Sequence, residues 1–207
     1  MFDCNPQKEF FSFDIAGALA PVDITSFTNN KNVQEIGTTV TSVILTWTIN
    51  KDVTSEILDN GIGSITPSLR TYTHTDSFDV ARTYGLTASD GTNVDTAFTS
   101  ITFKNKKYWS AAVDGTHNSA FILAMTNELS ETFPKTFTVN AGASEYIWFA
   151  YPKRLGEVDF TVNGFTGGFE AAETVAFTNS KGFIEDYYLY RSTHANLGST
   201  TVLVDLI

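Results

Sequence analysis

The sequence predicts an all-β protein built from two consecutive β-sandwich domains, with one short helix in the second domain and an N-terminal arm. Three observations lead to this prediction. Short apolar stretches alternate with a period of two, glycine-bearing turns separate them, and only 17% of the 207 residues are charged. The length suffices for two domains of about 100 residues that each bury a core.

Residues 1–20 are predicted to form an arm that docks on another surface. Phe13 and Leu19 make this segment too apolar for a solvated tail, while Pro6 and Gly17 interrupt any long helix or strand. The arm packs either on its own domain or on a neighbouring subunit, and the sequence leaves both options open.

Residues 21–105 are predicted to form the first sandwich. Val43, Leu45 and Trp47 fall on one face of a strand whose other face is mostly threonine and serine. Asp90–Gly91 supplies the turn of a later hairpin. Six or seven short strands, with a tryptophan early and a tyrosine late, match an immunoglobulin-like (Ig-like) sandwich without its disulfide.

Residues 106–207 are predicted to form the second sandwich, which opens with the strand YWSAAV. A helix is expected after a cap at Asn118 or Ser119, because the apolar residues from Phe121 to Leu129 have near-helical spacing. Glycine turns separate the strands that follow. We expect these strands at 135–140, 146–151, 157–162, 169–177, 183–190 and 200–207.

Composition narrows the classes of function. The net charge is −10 with only 13 Lys and Arg, which disfavours nucleic-acid binding because that binding depends on clustered cations. The single cysteine, Cys4, cannot form an intrachain disulfide, which indicates folding in a cytoplasm. We expect no secretory signal and no membrane span, since the N-terminus lacks a basic and apolar leader and no apolar run is long enough.

Candidate chemistry is sparse. Scattered acids could in principle supply the paired carboxylates of a glycosidase, but their positions at strand ends and outward faces favour solubilising charge. His74, His117 and His194 lie far apart in the sequence, without metal-ligand spacing. We therefore expect no catalytic residue, no cofactor and no metal. The acids in question are Glu145, Glu170, Glu173, Glu185 and Asp186.

Aromatic residues are the best candidates for recognition. The segments EYIWFAY and EDYYLYR hold more aromatic side chains than one core face can take, because consecutive strand residues point to opposite faces. Exposed aromatic rings contact either a neighbouring subunit or a sugar ring. The predicted partner or glycan contacts are Tyr146, Trp148, Tyr151, Tyr187, Tyr188 and Tyr190. The glycines at 164, 167 and 168 predict a tight turn, not a phosphate loop.

Two blocks of sequence carry a family resemblance. The first, with EIGTTVTSVILTWTINK, SITPSLRTYT and TYGLTASDGT, resembles an Ig-like module that recurs in bacteriophage virion proteins. The second, with YIWFAYPKRLG, VNGFTGGFE and SKGFIEDYYLYRSTHANLGSTTV, is similar to the module that commonly follows it in phage tail-fibre, collar or head-fibre proteins. The resemblance covers nearly everything after the arm.

The resemblance implies a non-enzymatic virion structural protein, made in the host cytoplasm, that acts in particle assembly or host contact. Its expected partners are other virion proteins, further copies of itself in a trimer or ring, and a host surface glycan. The alternative is a carbohydrate-binding or adhesion module. A structural protein should bury its aromatic faces in an oligomer, whereas a sugar-binding module should keep them open.

Overall fold

The computed structural model describes residues 20–207, so the predicted arm lies outside the described residues except for Ala20. The described chain is all-β, as predicted, with helix α1 (Ser119–Leu123) and a 3-10 turn at Lys153–Leu155. In chain order the strands are β1 (Ile24–Asn29), β2 (Val33–Glu35), β3 (Val43–Ile49), β4 (Ser55–Leu58), β5 (Gly63–Ile65), β6 (Thr71–His74), β7 (Arg82–Ser89), β8 (Val94–Lys104), β9 (Lys106–Val113), β10 (Thr126–Leu129), β11 (Lys135–Ala141), β12 (Glu145–Pro152), β13 (Val158–Val162), β14 (Phe165–Thr166), β15 (Glu173–Thr178), β16 (Ile184–Arg191) and β17 (Gly198–Leu206).

Helix α1 begins at the predicted cap and ends sooner than predicted. The Asn118 side chain accepts a hydrogen bond from the Phe121 backbone N–H, and Ile122 is the buried residue of the helix. The expectation that the helix continues to Leu129 is wrong, because Thr126–Leu129 instead pairs antiparallel with β9. Within residues 20–207, no helix combines the length and the apolar character that crossing a membrane requires.

The described chain forms two compact units. The first contains residues up to Asn30 together with Val43–His74 and Thr83–Ser100, and the second contains Lys31–Ser42, Thr75–Arg82 and Ile101–Ile207. Two segments from the first half of the chain therefore belong to the second unit. The domain boundaries predicted from the sequence, at 21–105 and 106–207, stay a prediction.

The first unit is a sandwich of the three-stranded sheet β1-β3-β6 and strands β8, β7, β4 and β5 of the five-stranded sheet β2-β8-β7-β4-β5. Strand β3 alternates as predicted, with Val43, Leu45 and Trp47 buried and the residues between them exposed. Tyr84 and Leu86 of β7 are buried in the same unit. These alternating side chains form the core between its sheets.

The second unit is a sandwich of the five-stranded sheet β10-β9-β12-β16-β15 and the four-stranded sheet β11-β17-β13-β14. Ile147, Phe149 and Tyr151 of β12 form its inner core with residues of β11, β13 and β17. A second buried cluster lies on the other face of the same five-stranded sheet, around Trp148 and Tyr187. Strand β12 is consequently buried on both faces, with six buried residues in a row.

Besides β10, two strands of the second unit differ from the prediction. The strand expected from residue 169 begins only at Glu173, and Phe169 makes a single bridge with Ser192. The two-residue strand β14 pairs with the end of β13 and was not predicted. The connection between β14 and β15 is therefore a separate segment, and this segment shapes the candidate site.

Candidate functional site

Four of the six aromatic side chains predicted as contacts are buried. Trp148, Tyr151, Tyr187 and Tyr190 each expose 6% of their surface or less. The sequence predicted that some of the six rings are exposed, and these four are not. The contact role stays a prediction for Tyr146 and Tyr188, which are half-buried.

The burial has a physical cause. Both faces of the five-stranded sheet are covered, so side chains that alternate between the faces enter two different cores. Their polar atoms also find partners inside. The Trp148 indole N–H donates to the Ala112 carbonyl at 3.0 Å, and the Tyr187 hydroxyl donates to the Lys106 carbonyl at 3.0 Å. Burial raises the pKa of Tyr187 above its usual range, so its hydroxyl stays a donor.

Tyr188 lines an open groove in the second unit. The groove has a volume of about 370 Å³ and runs along β13, the 167–172 segment and β16. Recognition pockets for small ligands commonly begin at about 300 Å³. Its lining combines aromatic, acidic and small residues: Glu157, Val158, Asp159, Phe160, Gly167, Phe169, Glu170, Ala171, Ala172, Tyr188 and Tyr190.

One wall of the groove is a stacked aromatic pair. The ring of Phe169 lies parallel to that of Phe160, with centroids 3.9 Å apart and an interplanar angle of 15°. Phe160 is buried, whereas Phe169 is half-buried. Phe169 therefore rests on the core while part of its ring surface remains open to solvent.

Backbone hydrogen bonds hold the segment that carries Phe169. The Gly167 N–H donates to the Phe160 carbonyl at 2.7 Å, and the Glu170 N–H donates to the Arg191 carbonyl at 2.8 Å. Gly167 and Gly168 have φ of +100° and +86°, which side-chain-bearing residues rarely adopt. A Cβ on Gly168 would also lie 3.1 Å from Val162 Cγ2, so the chain approaches closely here, while the tight turn of this region lies at Asn163–Gly164.

The rim of the groove is acidic. Glu157, Asp159 and Glu170 line the groove and are all exposed, and the Asp159 side chain lies on the face of β13 opposite buried Val158 and Phe160. Arg191 donates to both carboxylate oxygens of Glu170 at 2.8 and 2.9 Å, which fixes the orientation of that side chain. Carboxylate oxygens accept hydrogen bonds only, so this rim suits a ligand that offers hydroxyl or amine donors.

Arg191 also belongs to a cluster that contains Tyr146. Its guanidinium lies over the Tyr146 ring at 4.7 Å, and it pairs with Asp114. His117 hydrogen-bonds to Asp114 through Nε2 at 2.9 Å and to Glu173 through Nδ1. The cluster holds Tyr146 against the protein, which explains why this tyrosine is only half-exposed.

The imidazole of His117 titrates differently from a free histidine. Burial on its own would lower the pKa of His117, but the hydrogen bonds to Asp114 and Glu173 outweigh burial and raise the pKa above 6.5. A group whose pKa is higher in the folded state stabilises the fold below its unfolded pKa. That stabilisation is lost as the pH rises through the folded pKa.

We expect the second unit to be more stable at about pH 6 than at about pH 8, because of protonated His117. Thermal unfolding at both pH values measures this difference. In the variant His117→Gln the difference should shrink, since glutamine carries no charge at either pH. An unchanged difference in that variant would show that other groups produce it.

The remaining predicted acids do not share one site. Glu173 pairs with His117, Glu185 pairs with Arg154, and Glu145 accepts a hydrogen bond from the Gly142 N–H. Only Glu170 lines the groove. Among residues 20–207, histidine, cysteine and acidic side chains nowhere gather in a group of three that could hold a metal.

Sequence reasoning missed most of the groove. Phe160, Phe169, Glu157 and Asp159 lie in segments that were predicted as ordinary strands. The predicted tight turn before Phe169 was the one signal that the chain reverses there. Nothing in the local pattern indicated that Phe169 folds back onto Phe160.

Comparisons with known proteins add little. No protein-family model matches the chain, and no curated protein sequence is a significant match. Among solved structures, titin Ig tandem domains align with 89% of this chain and 95% of that chain, at 8% identity and a TM-score of 0.27. A likeness this weak bears on neither fold nor function. The fold assignment rests on the strands and sheets themselves.

Proposed function

We propose that the chain is a non-enzymatic structural protein of a bacteriophage particle, a tail, fibre or collar component that acts in assembly or host contact. The family resemblance supports the particle role, because its strands and glycine turns run through most of residues 21–207. The observation that carries the contact role is the groove, whose aromatic wall and acidic rim stand on a sheet scaffold. Concave sites with a few convergent polar groups are typical of recognition.

A carbohydrate-binding or adhesion module is the second candidate, and the same groove favours it. The two candidates differ in assembly. A particle component gains attachment strength by presenting several copies of a weak site, which requires an oligomer. A carbohydrate-binding module acts as a monomer with its groove open.

We expect the purified chain to be a stable homo-oligomer, either a trimer or a ring. Val80, Phe165 and Ile184 of the second unit expose 65%, 80% and 67% of their surface, and burial against another copy would remove this apolar surface from water. Native mass spectrometry and light scattering measure the copy number.

Deleting residues 2–19 should weaken assembly while the β signal in circular dichroism persists. A chain that is monomeric with or without this segment would favour the carbohydrate-binding module.

Imaging of intact particles tests the proposed location. We expect density for the two units at the tail, fibre or collar of the phage that encodes the chain. Absence of the chain from purified particles would refute the particle role.

An assay for reducing ends released from host polysaccharide tests the non-enzymatic assignment. Release that is lost in Glu170→Gln but retained in Glu145→Gln would overturn it in favour of a glycosidase.

A further inference from the structure

We propose that the groove between β13 and β16 is a saccharide subsite for a pyranose ring that carries free hydroxyls and no acidic group. This inference rests on the proposed contact function and specifies the ligand for it. Three features of the groove carry the inference: an aromatic platform, a rim of hydrogen-bond acceptors, and a size that fits one or two sugar rings.

The platform consists of Phe169 and Tyr188. Both rings line the groove and both are half-buried. The stack of Phe169 on buried Phe160 holds the ring in place before any ligand arrives. Preorganised rings lose little conformational freedom on binding. The apolar C–H face of a pyranose packs on such a surface.

The rim supplies hydrogen-bond acceptors. Glu157 and Glu170 can each accept hydrogen bonds from sugar hydroxyls, and charge-assisted bonds of this kind are the stronger ones. The nearby cations have partners: Arg191 pairs with Glu170 and Asp114, and Lys153, whose Nζ lies 5.3 Å from the Tyr188 ring centroid, donates to the Thr174 hydroxyl. An acidic sugar would meet like charge on the rim of a chain whose net charge is already −10. The rim therefore selects against uronic and sialic acids.

The volume sets the length of the ligand. At about 370 Å³ the groove is near the lower end of ligand pockets, which extend from about 300 to 1,000 Å³. One ring packed on Phe169 with a second ring near Tyr188 would fill it. A site this small binds weakly, so the full attachment strength would come from several copies.

The test is a titration of the full chain, followed by the backbone amide signals in NMR. The probes are neutral tetrasaccharides of glucose, galactose, mannose and N-acetylglucosamine, with tetragalacturonate as the acidic probe of equal length. We expect at least one neutral probe to shift the amides of Phe169 and Tyr188, with a Kd on the order of 1 mM. Tetragalacturonate should shift neither amide.

Two variants and a control locate the site. Phe169→Ala should weaken binding about tenfold, which corresponds to loss of one stacking contact. Glu157→Gln changes an exposed rim residue, so it should leave the fold intact, weaken the neutral probe and admit tetragalacturonate. Phe165→Ala removes an aromatic ring that is 80% exposed but does not line the groove. Binding by this control should match that of the wild type.

The proposal is overturned if no neutral probe binds, if binding shifts amides elsewhere, or if Phe169→Ala and Phe165→Ala behave alike. It is also overturned if tetragalacturonate binds as well as the neutral probes. These outcomes are independent of the particle role. Sugar binding by a chain that is absent from the particle would leave the subsite standing and refute the particle role. A chain that is located in the particle but binds no sugar would support the particle role and refute the subsite.

Discussion

Replacing Trp148 with alanine should lower the free energy of unfolding of the second unit by about 3–5 kcal/mol, the range for deleting a large buried aromatic side chain. Trp148 exposes 1% of its surface. Its ring packs edge-to-face against Phe121 at 4.9 Å and against His117 at 4.8 Å. The substitution opens a cavity beneath α1. It also removes the indole N–H that donates a hydrogen bond to the Ala112 carbonyl at 3.0 Å.

Tyr146→Ala is the matched control for Trp148→Ala. Tyr146 lies on the same strand and the same face, but it is half-buried, at the edge of the cluster and beneath the guanidinium of Arg191. We expect it to cost about 1 kcal/mol or less. Urea denaturation followed by far-UV circular dichroism gives both values without relying on tryptophan fluorescence. Equal losses in the two variants would mean that Trp148 is no more buried than Tyr146.

Local sequence patterns were sufficient to predict which residues of a strand are buried, where only one face of the strand is covered. The alternation of Val43, Leu45 and Trp47 predicted the buried face of β3, and the structure confirms it. The cap at Asn118 likewise predicted where α1 begins. In both cases the signal lies within a few neighbouring residues, since side-chain period and capping are local properties.

Burial of the aromatic residues could not be predicted in the same way. The rule that alternate side chains face opposite sides holds for β12, but it says nothing about what covers the second side. Part of that cover comes from the helical segment, since Ile122 of α1 and the following Met125 belong to the buried cluster around Trp148 and Tyr187. The residue spacing within β12 carries no information about which other segment will lie against it.

The groove escaped prediction for a related reason. Phe160 is a normal inward residue of β13, and only the segment that follows the turn at Asn163–Gly164 brings Phe169 onto it. The sequence indicated the turn but not that the segment after it packs on Phe160. Sites formed where a loop returns to a sheet require the tertiary structure, whereas the strands that support them do not.

Trp47→Ala should lower the free energy of unfolding of the first unit by about 3–5 kcal/mol. Trp47 exposes 1% of its surface, and its indole N–H donates to Glu56 Oε2 at 2.9 Å. Glu56 is itself buried, and Arg70 supplies its ion-pair partner. Burial raises the pKa of Glu56, while Arg70 and the Trp47 indole oppose that rise. The substitution therefore leaves a cavity and also removes one of the groups that stabilise a buried carboxylate.

Two further variants separate these effects. Trp47→Phe keeps most of the ring but removes the donor, so it should lose about 1–3 kcal/mol, the range for a buried group left unsatisfied. Ile44→Ala, on the opposite face of β3 and 42% exposed, should change the urea midpoint little. If Trp47→Ala unfolds at the wild-type midpoint, β3 has the wrong register, because a one-residue slip exchanges its buried and exposed faces.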